Sequence, residues 1–331
     1  MKRLLTLLGA LVLLAGCGDA SDGDAAAIRK DGSVDLTKVT LRVGDQKAGS
    51  QALLQAAGQL KGVQYKITWS QFTSGPPLLE AANAGAVDIG AVGNTPPIFA
   101  AAAGSKIKIV AAGAQNLAAQ AVLVPKTSAI RTIQDLKGKK VALAKGSSAH
   151  ALLLSVLKKA GLSFGDVQPQ YLQPADALSA FSAGRVDAWS IWDPYTAQAE
   201  AQTGARVLVY GNGFGTNYSF NVAAAKALKD KAKVAAIRDY LVRLDRATIW
   251  AATHQDQWAT TWSAQIGLPP AVAKVAAHRR VTRPVPIDDT VIAGEQQLAD
   301  AFSDAKLIPG RLTFGDFVDR RFNDTVPGGS S

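Results

Sequence analysis

Val87-Asp88-Ile89-Gly90-Ala91-Val92-Gly93-Asn94-Thr95-Pro96-Pro97-Ile98-Phe99-Ala100-Ala101-Ala102-Ala103 is the stretch whose reading decides the fold. Residues 87–92 form a short apolar run of strand type, and residues 96–103 read as a helix. Between them stands a turn of small polar residues followed by two prolines. Proline is tolerated in a first helical turn, because the N–H it lacks would have had no partner inside the helix. A strand that runs through a tight turn into a helix is the repeating unit of a parallel α/β sheet.

The same unit recurs on both sides. Upstream, Val39-Thr40-Leu41-Arg42-Val43 alternates as a strand, residues 63–69 read as a second strand and 78–84 as a helix. Downstream come strands at 107–112 and 122–124, the latter ended by Pro125. A second set opens near residue 128, with strands at 141–144, 168–172, 188–191 and 206–210 and helices at 148–160, 175–183 and 194–202. From Lys226 onward the pattern is mostly helical, and Trp250, Trp258 and Trp262 are spaced as packing residues of an apolar face. The alternation predicts an α/β protein, and 331 residues suit two lobes with a cleft between them.

The first residues are read as a targeting segment. Lys2 and Arg3 precede an apolar run over residues 4–14, eleven residues long, against the roughly 20 that a membrane-spanning helix needs. The run ends in Leu14-Ala15-Gly16-Cys17, which resembles the lipobox of bacterial lipoproteins. That resemblance implies a signal peptide over residues 1–16, cleavage before Cys17 and lipid on its sulfur. Residues 17–37 are small and polar and read as a flexible tether. Cys17 is the chain's single cysteine, so no intramolecular disulfide, thiol-ligated metal or thiol nucleophile is expected in the folded body. The net charge of +10 falls to +8 when Lys2 and Arg3 leave, and the basic residues are scattered rather than gathered into stripes. That distribution argues against a nucleic-acid partner, while a positive field favours the approach of small anions.

Three turns share one design. Ser74-Gly75-Pro76-Pro77, Asn94-Thr95-Pro96-Pro97 and Gly146-Ser147-Ser148 each lead from a strand into a helix. A helix start exposes unpaired N–H groups and the positive end of a dipole, so it can hold an anion without a charged side chain. Thr95 and Ser148 are residue types that also cap helices. By themselves the three turns leave open whether they form an anion site or ordinary caps.

Across residues 39–270 the chain resembles the aliphatic sulfonate-binding proteins of ABC importers. The likeness runs in order through Gly44-Asp45-Gln46-Lys47, Gly75-Pro76-Pro77-Leu78-Leu79-Glu80, Asn83-Ala84-Gly85-Ala86-Val87-Asp88-Ile89-Gly90, Thr95-Pro96-Pro97-Ile98-Phe99, Lys145-Gly146-Ser147-Ser148-Ala149-His150, Val186-Asp187-Ala188-Trp189-Ser190-Ile191-Trp192-Asp193-Pro194-Tyr195 and Asn217-Tyr218-Ser219-Phe220. It implies a two-lobed type II periplasmic binding protein fold with a hinge of two crossover strands. Lobe one is expected over residues 38–124 and 225–331 and lobe two over 125–224, with crossovers near residues 122–125 and 220–224 and the late helices on lobe one. The implied ligand is a small organosulfonate anion. Its head would sit at Gly75 with Pro76 beside it, Asn94, Thr95, Ser147 and Ser148, with Gln46, Trp192, Asp193 and Tyr218 lining the remainder. Trp192 and Phe72 would cover an apolar tail, and His150 would border the cleft. No cofactor or metal is implied. The implied partners are the importer's permease and ATPase subunits, and the implied location is the outer face of the cell membrane, held by lipid. Many relatives carry an aspartate where this chain has Asn94, a change expected to suit an anion and to disfavour a taurine-like ammonium.

Other readings compete with this one. Backbone N–H groups at helix starts also serve nitrate, taurine or sulfate esters. A weaker likeness to aromatic desulfinases would imply an enzyme, but those use a cysteine nucleophile and Cys17 belongs to the lipobox. Ser148 and His150 stand two apart on a helix and do not face one another, so an improvised triad is not expected either.

Overall fold

The computed structural model describes residues 26–47 and 49–327. The expected signal peptide, Cys17 and residues 17–25 of the tether lie outside them. In chain order the elements are β1 Thr40–Gln46, α1 Gly49–Ala56, β2 Lys66–Phe72, α2 Gly75–Asn83, β3 Ile89–Gly93, α3 Thr95–Ala102, β4 Ile107–Gln115, β5 Gln120–Val124, β6 Lys140–Leu143, α4 Ser148–Lys159, β7 Gln168–Tyr171 and α5 Pro174–Ser182. There follow β8 Ala188–Trp192, α6 Tyr195–Thr203, β9 Arg206–Tyr210, β10 Tyr218–Ala224, α7 Lys231–Ala251, α8 Gln255–Ile266, α9 Pro270–Arg279, β11 Thr282–Val285 and α10 Asp289–Asp304.

Two sheets result. The first has the order β11-β4-β10-β3-β1-β2, the second β7-β6-β8-β5-β9. Within the first, β1 pairs in parallel with β2 and β3, and within the second β6 pairs in parallel with β7 and β8. Each sheet also takes in an antiparallel strand. β10 lies between β3 and β4 in the first, and β5 lies between β8 and β9 in the second.

Those two strands correct the expected boundaries. β5 falls before residue 125 but belongs wholly to the second sheet, with Gln120 opposite Trp192 and Leu123 opposite Trp189. β10 falls before residue 225 but belongs to the first, with Phe220 opposite Val92 and Ala112. The chain therefore crosses at residues 116–119 and 211–217, several positions earlier than expected on each pass. Pro125 ends a strand, and a strand end carries no information about which sheet the strand has joined. The tether is also shorter than expected. Ala27 is fully buried, Ile28 bridges to Val34, and the Asp35 N–H donates to the Ala27 carbonyl at 2.7 Å, so residues 26–37 are laid onto lobe one.

Close helix–sheet packing is built into the strands. A Cβ on Gly90 would stand 2.6 Å from a Leu78 methyl of α2, and one on Gly44 would meet the Leu78 Cγ at 2.8 Å. A larger residue at either position would have to displace the Leu78 side chain. The largest apolar cluster runs through both lobes, from Leu78 and Ile98 to Leu152 and Phe302. α7 covers the first sheet through Ile237, Tyr240 and Leu241. Trp258 and Trp262, stacked at 5.3 Å, pack with Ala273, Ala276 and also Ala197 of α6. The late helices therefore touch lobe two as well as lobe one.

Candidate ligand-binding site

A cleft lies between the sheets at the carboxyl ends of their parallel strands, the usual place for a ligand in such architectures. Asp45, Gln46 and Lys47 enter it from the end of β1, Thr73 and Gly75 from the end of β2, and Gly93 from β3. Lobe two contributes Ser147, Ser148, Trp192, Asp193 and Tyr195. The strand ends flanking the crossings and the late chain add Gln115, Gln120, Ser219, Arg280 and Thr282. The enclosed space is about 120 Å³, room for a small anion and a short tail.

Besides α3, whose Pro96 reaches the wall, four helices begin on this cleft, and they differ in what satisfies their first N–H groups. α1 is closed by Asp45, whose carboxylate accepts from Ser50 at 3.1 Å and Gln51 at 2.9 Å. α6 is closed by Asp193, which accepts from the Ala197 N–H at 2.9 Å. α2 and α4 have no side-chain cap. The Ser74 hydroxyl donates instead to Gln173 of lobe two at 2.9 Å, and the Ser147 hydroxyl donates to the Ala144 carbonyl at 2.7 Å. Two helix starts, one from each lobe, thus remain open. Tandem prolines limit α2 to the Gly75 N–H, whereas α4 keeps those of Ser148 and Ala149. The two lobes approach closely here. A Cβ on Gly93 would stand 3.0 Å from that of Ser148.

The electrostatics combine buried acids with two cations, Lys47 and Arg280. Burial raises Asp45 above the usual carboxylate range and pushes Asp193 up to about 6. Asp193 Oδ2 has no hydrogen-bond partner and lies 4.0 Å from the Arg279 guanidinium. Arg280 packs over the Trp262 ring at 5.6 Å and against Gly49. Burial lowers its pKa, opposed by Asp45 and Asp193, but a guanidinium keeps its proton. Three ties hold the lobes together around the site. Arg279 forks onto Glu200 at 2.6 and 3.2 Å, the Lys47 ammonium sits 4.9 Å from the Tyr195 ring centroid, and Thr73 joins Ser74 in donating to Gln173.

Of the residues expected from sequence, Gln46, Gly75, Ser147, Ser148, Trp192 and Asp193 line the cleft. The others are elsewhere. Ser148 is the first helical residue rather than the cap, which is Ser147. Pro76 faces a separate groove shared with Phe99, Lys145 and Tyr171. Asn94 and Thr95 turn inward. Thr95 is fully buried and donates to Asn94 Oδ1 at 2.9 Å, while Asn94 Nδ2 donates to Thr216 Oγ1 at 2.8 Å. Thr216, on the second crossing, donates in turn to Glu295 of α10, which burial raises to about 8. Asn94 therefore bears on the crossing segment, and its neutrality is not presented to the cleft. His150 is fully buried among Phe99, Phe164 and Phe302, with Nδ1 accepting from the Gly146 N–H at 3.2 Å and its pKa lowered by burial to about 3. It is a neutral packing residue. Tyr218 packs toward Phe220, because alternation along β10 sends its neighbour Ser219 to the cleft instead. Phe72 packs on the shared core.

The sequence reading missed Asp45, Lys47, Thr73, Gln115, Gln120, Tyr195, Ser219, Arg280 and Thr282. Lys47 stood inside a quoted motif and could have been included. Arg280 carried no local signal, since it ends a helix some 230 residues from the β1 turn it faces.

Comparison with known proteins fits this geometry. Residues 73–258 match the model of the family described as NMT1/THI5 like. The chain is 41% identical over 276 residues to an aliphatic sulfonates-binding protein of Escherichia coli (strain K12), covering 82% of this chain and 86% of that one. It is 32% identical over 330 residues to an aliphatic sulfonates-binding protein of Bacillus subtilis (strain 168), covering 97% and 95%. Among solved structures, the alkanesulfonate-binding protein SsuA of Xanthomonas axonopodis pv. citri, bound to MOPS, superposes with a TM-score of 0.79 at 39% identity, over 85% of this chain and 98% of that one.

Proposed function

The chain belongs to the NMT1/THI5-like family and, within it, to the aliphatic sulfonate-binding proteins, and from that premise we propose that it captures aliphatic sulfonates outside the cell membrane for an ABC importer. One observation carries the reading. The uncapped starts of α2 and α4, one from each lobe, open on a single cleft beside Arg280. A sulfonate head has three acceptor oxygens, a delocalised negative charge and no proton to donate at neutral pH. It is matched by donors alone, such as the N–H groups of Gly75, Ser148 and Ala149, the Ser148 hydroxyl and the Arg280 guanidinium. Gln46, Asp193 and Trp192 line the rest, with the indole as the apolar wall for an alkyl tail. Closure of the two lobes around the ligand is the hinge motion such architectures support, and Lys47–Tyr195 and Arg279–Glu200 are the contacts that closure makes.

The chain is a binding protein, not an enzyme. Its relatives are named for binding, and the histidine next to the Ser148 turn is buried, neutral and already hydrogen-bonded. Cys17 serves as the lipid attachment point that keeps the protein beside its permease and ATPase. The motif Leu14-Ala15-Gly16-Cys17 supports this, and no helix among the described residues is long and apolar enough to cross a membrane. Cys17→Ser should leave the membrane fraction, and unaltered retention there would refute the anchor.

The ligand class is tested by calorimetry and thermal shift with alkanesulfonates, sulfate, nitrate and taurine. Alkanesulfonates should stabilise the domain by about 2.7 kcal/mol at a hundredfold excess over Kd. Flat traces across the alkanesulfonate series would remove sulfonates from the reading.

A further inference from the structure

The tandem prolines of α2 take away the usual task of the residue ahead of them. A capping side chain accepts from the N–H groups of the second and third helical residues. In α2 those residues are Pro76 and Pro77, which have none. The Ser74 hydroxyl, fully buried, therefore has no capping partner in its own helix. It donates to Gln173 Oε1 of lobe two at 2.9 Å, where the Thr73 hydroxyl also donates at 2.9 Å. Two donors fill the two lone pairs of one amide oxygen. Gln173 stands just ahead of α5 and makes no capping bond with its side chain. Neither Gln173 nor Ser74 is part of the cleft wall. The sheets decide where this contact falls. The chain crosses between β4 and β5 and again between β9 and β10. Thr73 and Ser74 follow β2 and Gln173 follows β7, and each of these edge strands stands three places from the nearest crossing strand, β10 or β5. At about 4.8 Å per strand, the contact is about 14 Å from the hinge, where a rotation at the crossings opens the cleft widest. The Arg279–Glu200 pair sits on the hinge side, since Arg279 also reaches the Tyr210 hydroxyl at 3.4 Å and Tyr210 ends β9 before the second crossing.

We propose that Ser74 and Gln173, with Thr73 as the second donor, form the latch of the cleft, a contact off the ligand's own wall that sets how long the ligand is held. The proposal rests on the reading of the cleft as a sulfonate site closed by a hinge, and it adds the residues that govern release. Gly75 follows Ser74, so one turn offers a backbone N–H to the anion and a hydroxyl to the other lobe. An anion seated between Gly75 and the start of α4 draws the lobes together and brings Gln173 to both hydroxyls. Opening must break both bonds and leave the Ser74 hydroxyl to be paired anew. A latch that forms after the ligand has entered slows departure and leaves entry unchanged. Gln173 is thus a positioning residue, and Ser74 owes its part to the prolines that follow it.

The test is stopped-flow fluorescence of butanesulfonate binding to the whole mature domain, read from the tryptophan on the cleft wall, Trp192. Gln173→Ala should raise the dissociation rate about three- to tenfold, the net worth of a hydrogen bond. Its association rate should stay within about twofold of the parent. Gln173→Glu keeps an acceptor for both hydroxyls and should dissociate no faster than the parent. Ser74→Ala should speed dissociation in the parent and add nothing to Gln173→Ala, because its partner is already gone. Measurable butanesulfonate binding certifies that each variant is folded. An unchanged dissociation rate in Gln173→Ala overturns the latch and leaves the sulfonate site intact. A loss confined to association, or effects of Ser74→Ala and Gln173→Ala that simply add, overturns it as well. If butanesulfonate does not bind the parent at all, the reading of the cleft falls first and the latch with it.

Discussion

Two turns of this molecule look alike in sequence and differ in use. Gly93-Asn94-Thr95 ends β3 and begins α3, and Gly146-Ser147-Ser148 follows β6 and begins α4. Both put small hydroxyl or amide residues at a helix start, and neither helix has a side-chain cap. The lobe-two turn faces open space, with Ser147 and Ser148 on the cleft wall. The lobe-one turn gives the cleft only Gly93 and Pro96, and the side chains of Asn94 and Thr95 are consumed by a buried chain running Thr95–Asn94–Thr216–Glu295. Asn94 and Ser147 also differ in backbone, the first in the right-handed helical region and the second extended. A helix start becomes an anion site when its surroundings leave its donors unpaired, and it becomes a brace when they do not.

The comparison breaks most readily at Ser148. Ser148→Ala should weaken alkanesulfonate binding by about ten- to hundredfold, the loss of a hydrogen bond to a charged group. Because Ser148 is not the cap, the midpoint of urea unfolding should shift little. Affinity within about threefold of the parent would show that this turn is no more a site than its counterpart. Asn94→Ala should do the reverse. It strips Thr216 and Thr95 of a partner and should cost about 1–3 kcal/mol of stability, while the folded fraction binds as before. A stable variant with lost affinity would show that Asn94 reaches the ligand after all.

The far end of the brace answers to pH. Glu295 is pushed up to about 8 in the fold by burial, against an ordinary 4.5. Between those two values the unfolded chain has released the proton that the folded chain retains, so this residue makes stability fall as pH rises. Glu295→Gln keeps an acceptor for Thr216 and abolishes the titration. The variant should be more stable than the parent at pH 8, and the advantage should shrink toward pH 5. An advantage that is constant across this range, read from melting temperatures, would show that Glu295 does not carry the proton.

Much of the architecture was legible in the sequence, because burial of a sheet writes itself as local periodicity. Strand 206–210 was read with its observed bounds, and helix 148–160 differs from α4 by one residue at its end. The misreadings share a cause. β11 contains Pro284 and sits at the sheet edge, where a missing N–H costs no ladder bond, so its sequence carries a warning against a strand that its position removes. α1 begins with Gly49-Ser50 and owes its start to Asp45, a cap given from the preceding strand. β5 and β10 were placed in the wrong lobes because pairing partners 70 to 130 residues away leave no mark on the strand itself.

What the amino-acid sequence determined alone was the α/β alternation, the family, the absence of a thiol in the folded body and the three turns at which donors could be free. These follow from local preferences and from runs of residues read in order. What only the tertiary structure decided was which donors stay free. It turned Ser219 toward the cleft and Tyr218 away, closed two helix starts with Asp45 and Asp193, spent Asn94 on the crossing segment, and brought Arg280 to the mouth of β1. Each of these outcomes depends on which groups are left unpaired after every neighbour has been satisfied. That accounting closes only when the whole chain is folded, since a hydrogen-bond partner can come from any distance along it.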